Sequence, residues 1–353
     1  MDGPMNFFER QTQARNQTRR LVYMMILSIV SLVFLTALPF VFNGFEDYLS
    51  GTGTLADAFL AMAVIASFIS GIVVIGGLLK YRQLRAGGKV VAEKLGGRLL
   101  NGNAHTLDEQ RLMNVVEEMA IASGTRVPAV YLLPDESINA FAAGLTPEDA
   151  AIGVTRGAVK LLTREELQGV IAHEFSHIFN GDMRLNTQLV AVVHGLLVLG
   201  LAGTYIMASL LKRDKRDVRL MLVVFALGLA LCVAGFVGHL YGNLIKAAVS
   251  RQREFLADAS AVQYTRNPQS IVGALKKIGA HKQGSVISSP RAAEFSHLFF
   301  STGGSGLLSR MFASHPDLSV RIRRIDPQWD GNFTTATAPG VPAKKQETAA
   351  PLQ

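Results

Sequence analysis

Four long apolar runs constrain this chain more than any other feature of its sequence. They cover residues 21–42, 58–79, 188–211 and 220–245. A helix that crosses a bilayer needs about 20 consecutive apolar residues, so each run is long enough to cross once. The chain as a whole has 49% hydrophobic and 18% charged residues, which is apolar for a soluble protein. The sequence therefore predicts four transmembrane helices in two hairpins.

Basic residues flank the first hairpin on one side only. Arg10, Arg15, Arg19 and Arg20 precede the first run, and six Lys or Arg residues follow the second run between positions 80 and 98. The connecting loop contains acidic residues but no Lys or Arg. The positive-inside rule then predicts that the N-terminus and the chain after residue 80 lie in the cytoplasm. The net charge of +8 fits this pattern better than nucleic-acid binding, because no aromatic residues alternate with the basic ones.

The loop between the third and fourth runs conflicts with the positive-inside rule. Residues 212–219 are basic, yet four crossings place them outside. The first span usually dominates orientation and a short basic loop can be carried across, so we keep the four crossings. A second hairpin that does not cross fully is the alternative. The single cysteine, Cys232, lies in the fourth run, which excludes an internal disulfide and a cysteine-based zinc site.

The remaining segments predict a mainly α protein with a small β-sheet. Helical periodicity covers residues 106–122, and short strand patterns cover 129–133, 138–143 and 151–154. The expected divisions are a cytoplasmic N-terminal segment at 1–20, a first transmembrane hairpin at 21–79, the first part of a protease domain at 80–187, a second hairpin at 188–245, the second part of that domain at 246–330, and a disordered tail at 331–353.

A metal-binding pattern lies between the two hairpins. His173, Glu174 and His177 form the motif H-E-x-x-H. A capping box at residues 163–166 and a glycine at position 181 predict a helix over about 164–180. Histidines four apart share one helix face, so a single zinc ion can take both, and Glu174 can act as the general base for a water there. Two histidines on an ordinary amphipathic helix are the competing interpretation.

A zinc site with two histidines needs a third protein ligand. Position 183 is methionine, which excludes a third histidine six residues after His177. Glu254 and Asp258 are four apart on a predicted amphipathic helix, where Glu254 can bind zinc and Asp258 can accept the N–H of a ligand histidine. A membrane hairpin would return Glu254 to the height of His177, because both lie nine or ten residues from an apolar run. A solvated helix face with neighbouring arginines as ion-pair partners is the alternative.

Four ordered motifs give the sequence a resemblance to the integral-membrane zinc metallopeptidases that include the HtpX-type heat-shock proteases and the CAAX prenyl proteases. The motifs occupy residues 139–144, 173–182, 253–258 and 315–321. The resemblance implies a gluzincin-type protease domain with one zinc ion per chain. The zinc ligands it implies are His173, His177 and Glu254, with Glu174 as the base.

The same resemblance assigns further residues. It implies that His315 and Arg321 assist catalysis near the zinc and the scissile carbonyl. It also implies a strand edge that pairs with extended substrate, formed by Asn139, Ala140, Phe141 and Ala142. Several alternatives stay open: Asn139 as a turn cap, His315 as an ordinary loop histidine, and Asp182 either as a helix cap or as a support behind a metal ligand.

The expected function is a membrane-embedded zinc metalloendopeptidase. The resemblance implies a multi-pass protein of the bacterial inner membrane whose site faces the cytoplasm, with misfolded membrane proteins as substrates and a role in stress-related quality control. One alternative is a prenyl-protein processing protease, although its relatives enclose the site in a larger helical chamber. Another is a non-catalytic, zinc-stabilised membrane scaffold, which would need a fourth protein ligand. The start of the chain resembles a longer bacterial subgroup, so a truncated form is a further possibility.

Overall fold

The computed structural model describes residues 7–85, 87–210, 218–281, 313 and 315–333. Within these ranges the protein is mainly helical with one four-stranded sheet, as predicted. The helices are α1 Phe7–Leu49, α2 Leu55–Leu84, α3 Gly87–Lys94, α4 Leu107–Ser123, α5 Arg156–Leu161, α6 Arg164–Asn180, α7 Asp182–Leu210, α8 Val218–Thr265, α9 Pro268–Ala280 and α10 Leu318–Ile325. The strands are β1 Arg98–Leu99, β2 Ala129–Leu133, β3 Ala140–Ala143 and β4 Ala151–Thr155.

Four of these helices have the length and composition to cross a membrane. They are α1, α2, α7 and α8, and the four predicted runs fall almost entirely within them. Large apolar side chains on them face outward, among them Phe59 and Leu60 on α2, which suits contact with lipid rather than water. The predicted basic loop lies almost wholly outside the described residues, as does the predicted tail beyond residue 333.

Helix α8 is much longer than a membrane is thick. Its 48 residues extend over about 72 Å, compared with about 30 Å for the hydrocarbon core. The predicted amphipathic helix that carries Glu254 and Asp258 is part of this same unbroken helix, which ends at Thr265. That continuity fixes where Glu254 and Asp258 emerge relative to the apolar part of α8.

The described residues divide into two compact units. Of these residues, the first contains 7–85, 87, 181–210, 218–254, 313 and 315. Small residues allow its helices to approach closely: a Cβ atom at Gly195 would overlap the backbone of Val73, and one at Gly235 would overlap that of Gly200. In the same unit His239 Nδ1 lies 3.0 Å from the carbonyl oxygen of Val193, so this histidine bonds to a neighbouring helix.

The second unit contains the described residues 88–180, 255–281 and 316–333. Its sheet has the order β1-β2-β4-β3, with β2 parallel to β4 and β3 antiparallel to β4. The three predicted strands are confirmed within one or two residues at each end. Strand β1 was not predicted, because two residues are too few for a periodic pattern. Strand β3 forms one edge of the sheet, as the predicted substrate strand requires.

Candidate metal centre

Helix α6 carries the H-E-x-x-H motif, and its two ends form as predicted. The backbone N–H of Thr163 donates to Glu166 Oε2 at 2.7 Å, and the Glu166 N–H donates to Thr163 Oγ1 at 3.2 Å, which completes the capping box. Gly181, just past the last turn, has φ 68°, a conformation that costs glycine little. Lys277 of α9 also donates to Glu166 Oε2, at 2.6 Å, so a neighbouring helix also holds the start of α6. No sequence pattern predicted this contact of the lysine.

The two histidines of α6 direct their Nε2 atoms toward each other, so both can reach one metal ion. His173 is fully buried, and its Nε2 lies 3.1 Å from Nε2 of His177. The rings are nearly perpendicular, with an interplanar angle of 83°. Two nitrogen ligands of tetrahedral zinc, at bond lengths of 2.0–2.1 Å, would lie roughly 3.3 Å apart. The observed spacing therefore fits two imidazoles that share one ion.

Glu254 supplies a carboxylate oxygen to the same cluster. One ligand atom from each of His173, His177 and Glu254 lies within 4.8 Å of the other two. Glu254 lies on α8, which continues unbroken to Thr265. The residue is only 3% exposed, so the alternative of a solvated helix face does not hold. Two neutral imidazoles with one carboxylate are a donor set of the kind that catalytic zinc uses, so these residues fit the expected metal.

Asp258 lies one helical turn beyond Glu254 and contacts His173. Its Oδ1 is 3.0 Å from His173 Nδ1, which assigns the Nδ1 proton to this contact and leaves Nε2 available for a metal. Arg321 of α10 donates from Nε to Oδ2 at 2.9 Å and from an Nη atom to Oδ1 at 2.7 Å. This bidentate, charge-assisted pair is buried on both sides and fixes the orientation of the carboxylate.

Arg321 has no exposed surface in the structure. Its guanidinium donates to Asp258, and Nη2 lies 3.5 Å from His173 Nδ1. The family resemblance implies a place for this residue beside the scissile carbonyl. Its burial favours a role in holding Asp258 and His173 over contact with substrate. Sequence reasoning missed the ion pair because its partners are 63 residues apart and on different helices.

His315 and Asp182 each contact a residue of the 253–258 motif. His315 is buried, and its Nδ1 lies 3.1 Å from Glu254 Oε2, so this histidine is placed beside the third candidate ligand. Asp182 begins α7 and forms an ion pair with Arg253, the residue before Glu254. Asp182 thus stands in the first turn of a helix and contacts the residue next to the candidate ligand, and the two roles left open from the sequence stay predictions.

Glu174 follows His173 on α6 and is 1% exposed. The predicted substrate strand is also buried, although β3 has no strand on its outer side among the described residues. Asn139, just before β3, accepts the Ala140 N–H on Oδ1 at 2.9 Å, and its own N–H donates to Thr155 Oγ1 at 2.9 Å. These bonds secure the start of the edge strand, which agrees with the capping alternative and leaves a substrate role as a prediction.

Comparison with known proteins places this geometry among membrane peptidases. Residues 106–328 match peptidase family M48. A protease HtpX homolog of Thermoanaerobacter pseudethanolicus is 40% identical over 220 residues, which cover 61% of this chain and 70% of that protein. A protease HtpX homolog of Lactobacillus helveticus is 37% identical over 223 residues, or 62% and 74% of the two chains. The crystal structure of S. mikatae Ste24p aligns with 87% of this chain and 66% of that one, at 17% identity and a TM-score of 0.41, which is too distant to support an argument.

Proposed function

Because this chain belongs to peptidase family M48, we propose that it uses zinc at His173, His177 and Glu254 to hydrolyse peptide bonds of membrane proteins on the cytoplasmic side. The protein is a multi-pass membrane metallopeptidase that acts on peptides or proteins. The observation that carries the zinc proposal is the convergence of three ligand atoms within 4.8 Å, next to the buried Glu174. A non-catalytic scaffold is not supported, since the relatives are proteases.

In this proposal, bound zinc supplies Lewis-acid chemistry, polarising the scissile carbonyl and making a water more acidic. Glu174 accepts a proton from the attacking water and returns it to the amine nitrogen as the peptide bond breaks. The neighbouring side chains of α6 are buried, so Glu174 works in a site that excludes most bulk water. A low dielectric strengthens each of these charge interactions.

The surrounding residues have separate tasks in the proposal. Asp258 holds the Nδ1 proton of His173, and Arg321 holds Asp258, so the ligand ring keeps one tautomer and one orientation. His315 Nδ1 lies beside the Glu254 carboxylate. A ring N–H of His315 can also donate to a substrate carbonyl oxygen as negative charge develops there.

Two features support extended, membrane-derived substrates. The edge position of β3 supports recognition of an extended peptide by strand addition along Asn139–Ala142. Glu254 follows the end of the fourth apolar run by nine residues on one continuous helix, about 14 Å along its axis. A cut at that distance from the bilayer suits segments that emerge from the membrane, which is why we propose misfolded membrane proteins as substrates. The basic residues around positions 10–20 and 80–98 support a cytoplasmic site in a bacterial inner membrane.

The test compares Glu174→Gln with the unchanged protein, purified in detergent and loaded with zinc. We expect kcat to fall at least about 100-fold because the general base is lost. Zinc content by mass spectrometry should stay at one ion per chain, since Glu174 is not a proposed ligand. Activity that survives with zinc still bound would refute the assigned base.

The substrate proposal has its own test. An unfolded membrane protein and a prenylated peptide with a C-terminal CAAX sequence are offered to the same enzyme. We expect internal cleavage of the first and little processing of the second. Selective processing of the prenylated peptide would instead support the prenyl-protein alternative, without affecting the zinc chemistry.

A further inference from the structure

An apolar groove runs between two membrane helices of the first unit, away from the metal centre. Its volume is about 620 Å³, and it is lined by one face of α1 from Met24 to Thr36 and one face of α8 from Ala230 to Tyr241. The two helices meet beside it, where a Cβ atom at Gly238 would lie 2.9 Å from Leu32 Cδ1. The groove therefore has a closed floor and opens sideways, where lipid surrounds the helices.

The lining offers few groups to a polar ligand. Four of its residues carry a hydroxyl group: Ser28, Ser31, Thr36 and Tyr241. Ser28 donates to the carbonyl of Met25 at 2.8 Å and Thr36 to that of Leu32 at 2.7 Å, both within α1. Other lining residues, such as Leu27 and Val233, are apolar. An occupant of this groove gains by burying hydrocarbon rather than by forming hydrogen bonds.

The length and lining of the groove suit a lipid acyl chain. From Met24 to Thr36 the groove follows α1 for about 18 Å. A hydrocarbon chain can lie along that length with its carbon atoms about 4 Å from the apolar lining side chains.

The chemistry at one end of the groove selects the headgroup. Arg20 is four residues before Met24, so it lies one turn beyond the groove on the same face of α1. Arg20 is exposed, and so is Tyr241, which lines this end from α8. A guanidinium and a phenol at the mouth of a hydrocarbon-lined groove complement a lipid phosphate.

We propose that the groove between α1 and α8 binds one acyl chain of an anionic phospholipid, with its phosphate at Arg20 and Tyr241. The site is separate from the peptidase chemistry and depends only on the protein's place in a membrane. Anionic lipid is then a bound component of the helix bundle, and its acyl chain lies between α1 and α8 beside Gly238.

The test measures retained lipid by native mass spectrometry after delipidation and titration with phosphatidylglycerol or phosphatidylcholine. Arg20→Gln should weaken phosphatidylglycerol binding about five-fold, the effect expected for one basic residue near an anionic lipid, and leave phosphatidylcholine unchanged. Arg82→Gln, which removes an exposed charge from α2, is the matched control and should change neither. Equal effects of the two substitutions, or none from Arg20→Gln, would overturn the headgroup assignment.

A second pair of variants tests the groove itself. Ser31→Leu with Ala234→Leu fills it and should abolish retention of the tightest lipid, while Ser67→Leu with Ala63→Leu adds the same side chains on lipid-facing α2 and should not. A photocrosslinker at Ala234 in vesicles containing phosphatidylglycerol should capture lipid, and its capture of a protein segment would overturn the choice of occupant. Because the crosslinking experiment leaves the groove unfilled, it still tests the choice of occupant if the double variant folds poorly.

Discussion

Replacement of Arg321 by glutamine separates two roles for this residue. If Arg321 touches substrate, the variant should lose turnover while it keeps its metal. If it acts through Asp258, the variant should lose metal affinity first. The structure favours the second role, because Arg321 is completely buried and gives two hydrogen bonds to Asp258, which in turn contacts His173.

The expected losses of zinc affinity and of stability follow from the contacts that Asp258 loses when Arg321 is replaced. Loss of a residue that supports a metal ligand typically weakens metal binding about 10- to 100-fold. That range corresponds to about 1.4–2.7 kcal/mol of binding free energy. The Asp258 carboxylate also loses its buried partner, and breaking such a pair typically costs about 3–5 kcal/mol of stability. We therefore expect both weaker zinc binding and a lower unfolding temperature for Arg321→Gln.

The assay measures zinc affinity by competition with a chromogenic chelator, and then kcat at saturating zinc. We expect the dissociation constant for zinc to rise 10- to 100-fold, and kcat to recover largely once the site is filled. Arg321→Lys keeps the charge but loses the bidentate geometry. Its zinc affinity should therefore lie between those of Arg321→Gln and the unchanged protein. Arg323→Gln removes an exposed charge from the same helix and should leave zinc affinity unchanged.

One result would refute this reasoning. If Arg321→Gln binds zinc as tightly as the unchanged protein, remains folded at the assay temperature, and still loses kcat at saturating zinc, then Arg321 acts on the substrate. The expectation taken from the family resemblance would then be correct, and the burial of the guanidinium would belong only to a closed form of the site.

Three further predictions test other parts of the molecule. Glu254→Gln should lower zinc affinity at least about 100-fold at unchanged helix content, measured by the same chelator competition and by circular dichroism, because one of three ligands loses its charge. Gly235→Ala should lower the unfolding temperature in detergent, since its Cβ would overlap the facing helix backbone, whereas Gly71→Ala, with open space around it, should not. Glu109 has its pKa lowered chiefly by the His105 N–H, so its contribution to stability is present above about pH 4.3 and is lost as the pH falls through the folded-state pKa. Glu109→Gln should therefore be less stable at pH 7 and show a smaller further loss on acidification, in thermal melts across pH 3–7.

The sequence alone determined the features that depend on short-range patterns. Four apolar runs specified four membrane-length helices, because bilayer thickness requires a fixed number of apolar residues. The capping box at Thr163 and Glu166 and the glycine at position 181 specified both ends of α6. Since a helix repeats every 3.6 residues, the spacing of His173 and His177 also fixed the shared face of the two imidazoles.

Only the tertiary structure decided which distant residues complete the site. Helix length indicated Glu254 as the third zinc ligand, but only the fold brings its carboxylate together with the two histidines. The motif at 315–321 pointed to Arg321, but no local pattern predicted its pairing with Asp258, since an arginine on a short amphipathic helix usually faces solvent. Its burial depends on α10 packing so that the guanidinium reaches Asp258. The packing of helices decides which side chains far apart in sequence become partners. That packing follows from the burial of many residues together, so no short segment of sequence contains the information.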